Sequence, residues 1–563
     1  MKAALNKKTL VIFLIIGLGF FLRLYQLPKN PAGLHGDEVS IGYNAFSLLK
    51  TAKDQDGNFL PLAIDQFGDF RPPGYHYLDI PFVYALGLNS LAVRLPSAIF
   101  GGLTLIVFYL FLKKMFNKES FALISTFLLA ISPWHINISR ATSESVIAAF
   151  FLITGLYLIL LFRKNQQILT LLISFVSLFT SFLFYHHVRL FVPLFLPFFL
   201  FFLYRDNNAK NGKYFAIKAV SFYLLLTAAL VILLFNSQGA GRPSGISIFN
   251  MPGAGTAGEI TQQIGEDGNQ PVLISRFFHN KLISHARIFA IFYSKHFSGE
   301  FLFVNNGNPI RYRIPWFGNM YPVEMIFLTF GLASMVVYGL KKSEKTFLVT
   351  LAWLFLAAVP AGLTWEDTPN VQRASLMIFA LIPITAYGLL EIFNLIKKQS
   401  KTYWLLIPLL LAFYSHGLAL FLHNYFHHAL IHEPWYRSGA TAEVVFQLQT
   451  LKQDHSKIIM TTQGNNNLIH YLFYTNYDPQ KFQALGSPRE KNELNFDGIV
   501  FSHLDCPLEG DPEQEIKGDY EIYVVKNQCR LPKNSLVLST PVYSDGVPAY
   551  KVVKLLPPVN KKL

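Results

Sequence analysis

A helix that crosses a lipid bilayer needs about 20 consecutive apolar residues. Eleven runs approach that length, at roughly 10–27, 95–112, 119–136, 144–162, 167–185, 188–204, 214–235, 321–340, 346–363, 374–396 and 403–422. Hydrocarbon offers backbone groups no water to bond, so runs of this kind are confined to helices. Composition agrees: of 563 residues, 52% are hydrophobic and only 15% charged, against about 25% charged in ordinary soluble domains. A disordered chain, a disulfide-rich miniature protein and a typical soluble enzyme are excluded. The expected fold is an α-helical polytopic membrane protein with a small C-terminal α/β domain. The first run follows Lys2, Lys7 and Lys8, as a signal peptide would. Arg23 at the place of a cleavage region, and the spans that follow, favour an anchor.

The formal net charge is +14. A nucleic-acid binder gathers basic residues on one solvated face. Here they form short clusters between apolar runs: Lys113, Lys114 and Lys118; Arg163 and Lys164; Arg205, Lys210 and Lys213; Lys341, Lys342 and Lys345; Lys397, Lys398 and Lys401. Each cluster follows an even-numbered span, on the side of the N-terminus. The positive-inside rule then predicts a plasma (inner) membrane protein with a cytoplasmic N-terminus and an extracytoplasmic C-terminal domain, and no nucleic-acid partner. The expected division is a transmembrane domain, 1–423, with outer loops 28–94 and 236–320, and an outer α/β domain, 424–563. In the second loop the Gly-rich stretch Gln238 to Gly268 reads as mobile. Ile274 to Phe303 alternates aromatic and basic residues, including Lys281 and Arg287, as a helix lying on a membrane surface does. The outer domain offers a helix at Thr441–Gln453 and strands near 457–461, 498–501, 520–525 and 549–553. Its Cys506 and Cys529 are the chain's two cysteines. An oxidising exterior would let them pair, and their spacing fits two unrelated small residues equally well.

Chemistry-bearing residues collect at the outer ends of the spans. The first loop opens with His35-Gly36-Asp37-Glu38, continues with Arg71-Pro72-Pro73-Gly74-Tyr75-His76-Tyr77 and ends at Arg94-Leu95-Pro96-Ser97. Later outer segments hold Ser132-Pro133-Trp134-His135 with Arg140 and Glu144, then Tyr185-His186-His187-Val188-Arg189, then Trp365 to Arg373. The bland alternative for the acidic pair alone is a solvated turn. His423, His427, His428 and His432 include i,i+4 pairs that could hold zinc, yet lack a completing ligand beyond Glu433, and histidines also suit a membrane interface.

Taken in order, these motifs resemble the C-type membrane glycosyltransferases. The nearest group is the dolichyl-phosphate-mannose protein mannosyltransferase-like family with its bacterial relatives, which include the aminoarabinose transferase of lipid A. Arg313 to Gly318, Thr368-Pro369-Asn370 and Phe473 to Pro479 extend the resemblance over most of the chain. It implies a sugar donor carried on a polyprenyl phosphate and a hydroxyl acceptor on protein, lipid or glycan, in the cell envelope, with inversion at the anomeric carbon. It implies that Asp37 is the general base, beside Glu38. Glu144 matches a second acidic position that orients the acceptor, positions an arginine or helps hold a divalent cation. No other cofactor is implied, and no metal ligand set is assigned. Arg189 and Arg373, then Arg140, are the candidates for the donor phosphate, since guanidinium groups stabilise a leaving phosphate. His35, Tyr75, His76, His186 and His187 are candidate acceptor or donor contacts. Membrane lipids are the remaining partner. A lipid-linked sugar flippase is the alternative from another class, but transporters keep ionisable groups near the bilayer midplane. An oligosaccharide transferase or polymerase would share the architecture.

Overall fold

All eleven apolar runs are helical in the computed structural model, which describes residues 7–205, 212–236, 245–253, 257–341, 344–455, 457–462, 467–489, 493–509 and 520–556. Seven of the described helices are long and apolar enough to cross a membrane, eight if Glu119–Ile131 and Pro133–Arg140, bent by 53°, form one span. Ile168–Phe182 and Glu324–Leu340 are apolar but shorter, and Lys7–Leu24 carries three basic residues. The expected eleven spans thus include seven or eight that qualify on length and composition. The chain is a multi-pass membrane protein built on apolar helices. It groups into two compact units, Met1–Tyr25 with Asp69–Gly74 and Ser97–Asn424, and Gln26–Gly68 with Tyr75–Pro96 and Tyr425–Leu563.

In the first, helical unit, a break after Ile131 explains a charge inside an apolar helix. Helix ends leave backbone carbonyls short of intrahelical partners. Arg23 donates to two carbonyls of that last turn, the Leu129 oxygen at 3.2 Å and the Ala130 oxygen at 3.1 Å. It also reaches the Gly19 carbonyl at 2.8 Å and His135 Nδ1 at 2.7 Å. A guanidinium can only donate, so His135 accepts through Nδ1. Elsewhere small residues set the helix spacing. A Cβ at Gly331 would come within 2.1 Å of the Ile384 carbonyl oxygen, and one at Gly388 within 1.9 Å of the Phe327 oxygen. Helices Glu324–Lys341 and Ile378–Gln399 therefore cross backbone to backbone, the contact that small residues allow in membranes. Of the Gly-rich stretch expected to be mobile, 238–244 and 254–256 lie outside the described residues, while Ala257–Glu266 is a helix. The segment expected as a surface helix holds two helices, Val272–Phe278 and Lys281–Lys295.

In the second, mixed unit the segment expected as the first outer loop contains regular structure. Gly36–Thr51 and Gly74–Leu86 are helices. The first is capped by His35, a residue type outside the usual N-cap set. The C-terminal residues form a six-stranded sheet. Along the sheet lie Glu493–Phe496, Ile499–Ser502, Ile458–Thr461, Ile522–Lys526, Tyr550–Leu555 and Ser535–Ser539. The central strand runs parallel to both neighbours, Ile459 facing Val500 and Tyr523. All four of its residues are buried, as expected of a strand covered on both faces. Helix Thr441–Asp454 forms as expected. The two strands absent from the sequence reading are the sheet's edges, and the exposed Leu536, Val537 and Leu538 break the alternation by which a half-buried strand is recognised. Cys506 and Cys529 are joined by a disulfide, with Cα atoms 5.5 Å apart, against a core of Ile459, Tyr523, Val525 and Val553.

Candidate active site

The acidic pair begins a helix, and its two members live in different surroundings. His35 Nδ1 accepts the Asp37 N–H at 3.1 Å, and the Glu38 carboxylate accepts the His35 N–H at 3.1 Å. This reciprocal capping satisfies two backbone donors. Glu38 is 4% exposed. It takes Arg94 Nε at 2.9 Å, Arg94 Nη2 at 3.3 Å and Arg437 Nη1 at 3.2 Å. Burial pushes its carboxyl up, but the two guanidinium groups and their hydrogen bonds outweigh this and hold it at about 2. Arg94 is fixed in turn by the carbonyls of Leu27 (3.3 Å), Pro31 (2.8 Å) and Gly33. Glu38 is thus a clamp held ionised down to strongly acidic pH, with both oxygens engaged by arginines. Asp37 has a 15% exposed side chain, with Oδ2 3.9 Å from His35 Nδ1. It sits in the first helical turn, where the helix dipole favours negative charge.

Tyr75 and His76 are fully buried. The Tyr75 hydroxyl donates to the Val93 carbonyl at 2.8 Å, and His76 Nε2 lies 3.1 Å from Gln66 Nε2. An amide NH₂ only donates, so that assigned geometry makes His76 Nε2 the acceptor. Both residues lie in the interior of the mixed unit.

The helical unit contains a separate cavity of about 220 Å³. His186, His187 and Arg373 give it a polar side; Tyr185, Leu190, Phe249, Pro360 and Leu363 give it an apolar wall. The structure therefore gathers three of the sequence candidates around one space. Arg373 is held by Thr364 Oγ1 at 3.1 Å, by the Glu366 carbonyl and by the Glu366 carboxylate at 3.5 Å. Its loop is strapped down. Asn370 Oδ1 accepts the N–H groups of Gln372 and Arg373 at 3.0 and 2.9 Å. The Asn370 N–H donates to His296 Nε2 at 3.0 Å, while His296 Nδ1 meets the Phe292 carbonyl at 2.8 Å. That pairing requires a neutral ring, and burial pushes His296 down to about 4. Trp134 Nε1 donates to the Val371 carbonyl at 2.9 Å, which gives the Ser-Pro-Trp-His motif a positioning role.

Arg189, Arg140 and Glu144 are not among the lining residues. Arg189 turns back to the Phe182 carbonyl at 2.9 Å and to His186 Nδ1 at 3.4 Å. Arg140 is fully buried and donates to the Leu22 carbonyl at 3.0 Å. Glu144 lies 3.8 Å from Arg71. Sequence reasoning missed Phe249, Leu363, Thr364 and His296, since an isolated apolar residue, threonine or histidine carries no motif. Among the described residues, the one grouping with metal-ligand geometry is Cys506, Glu509 and Cys529, where the thiols are consumed by the disulfide.

Comparison with known proteins bears out the resemblance read from the motifs. Residues 71–236 match the model of the dolichyl-phosphate-mannose-protein mannosyltransferase family. The putative mannosyltransferase YkcB of Bacillus subtilis (strain 168) is 26% identical over 227 residues, 40% of this chain and 29% of the relative; the chain thus matches under a third of that relative's length. ArnT from Cupriavidus metallidurans, solved with undecaprenyl phosphate bound, has a similar fold at TM-score 0.51 and 12% identity, over 98% of both chains. The archaeal oligosaccharyltransferase AglB from Archaeoglobus fulgidus, solved with an inhibitory peptide and a dolichol-phosphate, matches at TM-score 0.51 and 14% identity, over 83% of this chain and 64% of that one. The chain shares the fold of the ArnT and AglB structures, and its residues 71–236 carry the sequence pattern of the dolichyl-phosphate-mannose-protein mannosyltransferase model.

Proposed function

We propose that the protein transfers a sugar from a polyprenyl-phosphate carrier to a hydroxyl acceptor at the outer face of the membrane, with inversion. The observation that carries this reading is the cavity in the helical unit, an apolar wall with Arg373, His186 and His187 on its polar side. An apolar tail with a phosphate head is the ligand that such a lining suits, and undecaprenyl phosphate is what the ArnT structure of similar fold holds. In this reading Asp37 takes the acceptor's proton as the acceptor oxygen attacks the anomeric carbon. The bond to the phosphate breaks, and polyprenyl phosphate leaves with the extra negative charge. Arg373 answers that charge, since donors aimed at developing charge lower the barrier most. Glu38 holds the helix that presents Asp37.

The test uses the purified chain in lipid nanodiscs. Undecaprenyl phosphate should bind, and Arg373→Ala should weaken binding by about 10- to 100-fold, the loss of one charge-assisted contact. Arg373→Lys should recover only part, because the planar fork is lost. Equal affinity in the wild type and both variants would remove this cavity as the donor site. Mass spectrometry of envelope glycans and glycoproteins, with and without the gene, should show loss of one sugar. Loss of a whole oligosaccharide would favour the AglB-like chemistry, and accumulated donor on the inner face would favour a flippase.

A further inference from the structure

A second cavity, of about 280 Å³, lies wholly within the mixed unit. Its floor is apolar, made by Leu468, Leu472 and Phe482, and Phe67 forms a side. Phe67 is unusual in two respects. It has φ +58°, a left-handed conformation that a bulky residue rarely adopts, and it is 42% exposed. The turn that presents it is fixed by Asp65 Oδ1, which accepts the Gly68 N–H at 2.7 Å. A strained turn holding an aromatic ring over a cavity, and not in a core, points to function.

The polar rim is built as firmly. Arg489 bridges two carboxylates, Asp65 at 2.6 Å and Asp56 at 2.7 Å. The bond to Asp56 uses Oδ2, and among the described residues Oδ1 is left to accept. Gln55 is held through its N–H by Asn44 Oδ1 at 2.9 Å and through its carbonyl by Ser487 Oγ at 2.7 Å. Its amide oxygen meets Asn44 Nδ2 at 3.3 Å, so its NH₂ remains a donor. An aromatic face beside interspersed acceptors and donors is the pattern that matches a sugar ring. Its C–H face lies on the aromatic, carboxylate oxygens accept from hydroxyls, and amide or guanidinium groups donate to them. Charge narrows the class further. Arg489 pairs with Asp56 and Asp65, and Asp54 acts on Asp56, so among the described residues the rim holds more negative than positive charge and disfavours a phosphate or carboxylate.

Position links this cavity to the proposed chemistry. A Cβ at Gly36 would lie 3.6 Å from the Phe67 ring, and Gly36 precedes Asp37. The helix Asn467–Tyr474, which supplies Leu468 and Leu472, packs on the helix that begins at Gly36. We propose that this cavity binds a neutral sugar ring at the acceptor end, so that the acceptor is a glycan or glycoconjugate with an uncharged sugar beside its reacting hydroxyl. The word acceptor rests on the glycosyltransferase reading; the binding of a neutral sugar does not.

The test is saturation-transfer NMR on the full chain in lipid nanodiscs free of glycoside detergent. The probes are neutral methyl hexosides and N-acetylhexosaminides, with glucose 6-phosphate as the anionic control, up to about tenfold above the millimolar range of weak substrates. At least one neutral probe should receive saturation on its ring protons. Phe67→Ala and Asp56→Asn should each weaken it about tenfold, the size expected from one lost stacking face or one charge-assisted hydrogen bond. Phe67 is exposed, so its removal tests the site without dismantling a core. No binding by any neutral probe, binding indifferent to both variants, or preference for the phosphorylated sugar would each overturn the inference. If the two variants altered the capture of a polyprenyl-phosphate sugar and left the methyl glycosides untouched, the sugar would be the donor's and the acceptor assignment would fall. Undecaprenyl phosphate binding in the same preparations separates the two failures. Bound lipid with no neutral sugar sinks only this inference, and no bound lipid sinks the donor reading.

Discussion

Two adjacent carboxylates, Asp37 and Glu38, receive opposite fates from their neighbours. Glu38 has both oxygens engaged by Arg94 and Arg437, whereas Asp37 stays at the helix start with part of its surface open. Asp37→Asn is expected to fold and bind donor while transfer falls by about 10²–10⁴-fold, the usual worth of a general base. Single-turnover transfer measured beside donor binding decides this. Near-normal transfer would remove Asp37 as base. Glu38→Gln should act on stability, because it leaves two arginines with one countercharge fewer. The cost should be about 3 kcal/mol, read as a lowered unfolding temperature. The pH dependence has a fixed sign. Glu38 is held at about 2, below its ordinary 4.5, so its contribution is complete above pH 4.5 and is lost as pH falls toward 2. The gap between wild type and Glu38→Gln should close over that window. Asp56 runs the other way: burial, with Asp54 and Asp65 nearby, raises it to about 6 against the pull of Arg489. Sugar binding that uses its charge should weaken as pH drops below 6.

At the level of elements, the loop before Arg373 shows how rigidity is assembled from backbone bonds. His296 and Trp134 each hold one of its backbone groups, and the Asn308 backbone holds two. His296→Leu would leave the buried Asn370 N–H and the Phe292 carbonyl unpaired, which costs about 1–3 kcal/mol each. Undecaprenyl phosphate affinity should fall about tenfold, and His296→Gln, which offers one acceptor and donors, should recover part of it. An unchanged affinity in His296→Leu would show that Arg373 needs no such strap. Since His296 is depressed from 6.5 to about 4, its support is whole above pH 6.5 and declines as pH falls to 4. The disulfide is the second element-scale device. It closes a loop of sequence separation 23, and for such a loop cross-linking stabilises by roughly 3 kcal/mol. Replacing both cysteines by serine should lower the unfolding temperature, and two freely alkylated thiols in the native wild type would contradict the pairing.

For the whole molecule, the charge clusters predict orientation. A reporter that works only outside the cytoplasm, fused after residue 424, should be active. A silent reporter in an expressed, folded fusion would make the number of crossings before it even. This matters because the described helices include seven or eight that qualify as crossings by themselves, and the shorter ones decide the parity.

Helix positions were legible in the sequence because each apolar run must satisfy its own backbone in lipid, a local requirement. The basic clusters and the order of the motifs were legible for the same reason: each is written in adjacent residues. The central strands showed as short β-branched runs, and their exposed edge partners did not. What only the tertiary structure decided is which distant groups meet. Glu38 became a clamp because Arg94 and Arg437, far apart in the chain, close on it. Arg373, His186 and His187 came to share one cavity, while Arg140 and Arg189 were drawn to backbone carbonyls. The cavity beside Phe67 left no trace in any motif, because its donors and acceptors come from segments more than 400 residues apart. A charge or hydrogen bond acts over a few ångströms of space, and spatial neighbours of that kind are fixed by packing, not by sequence spacing.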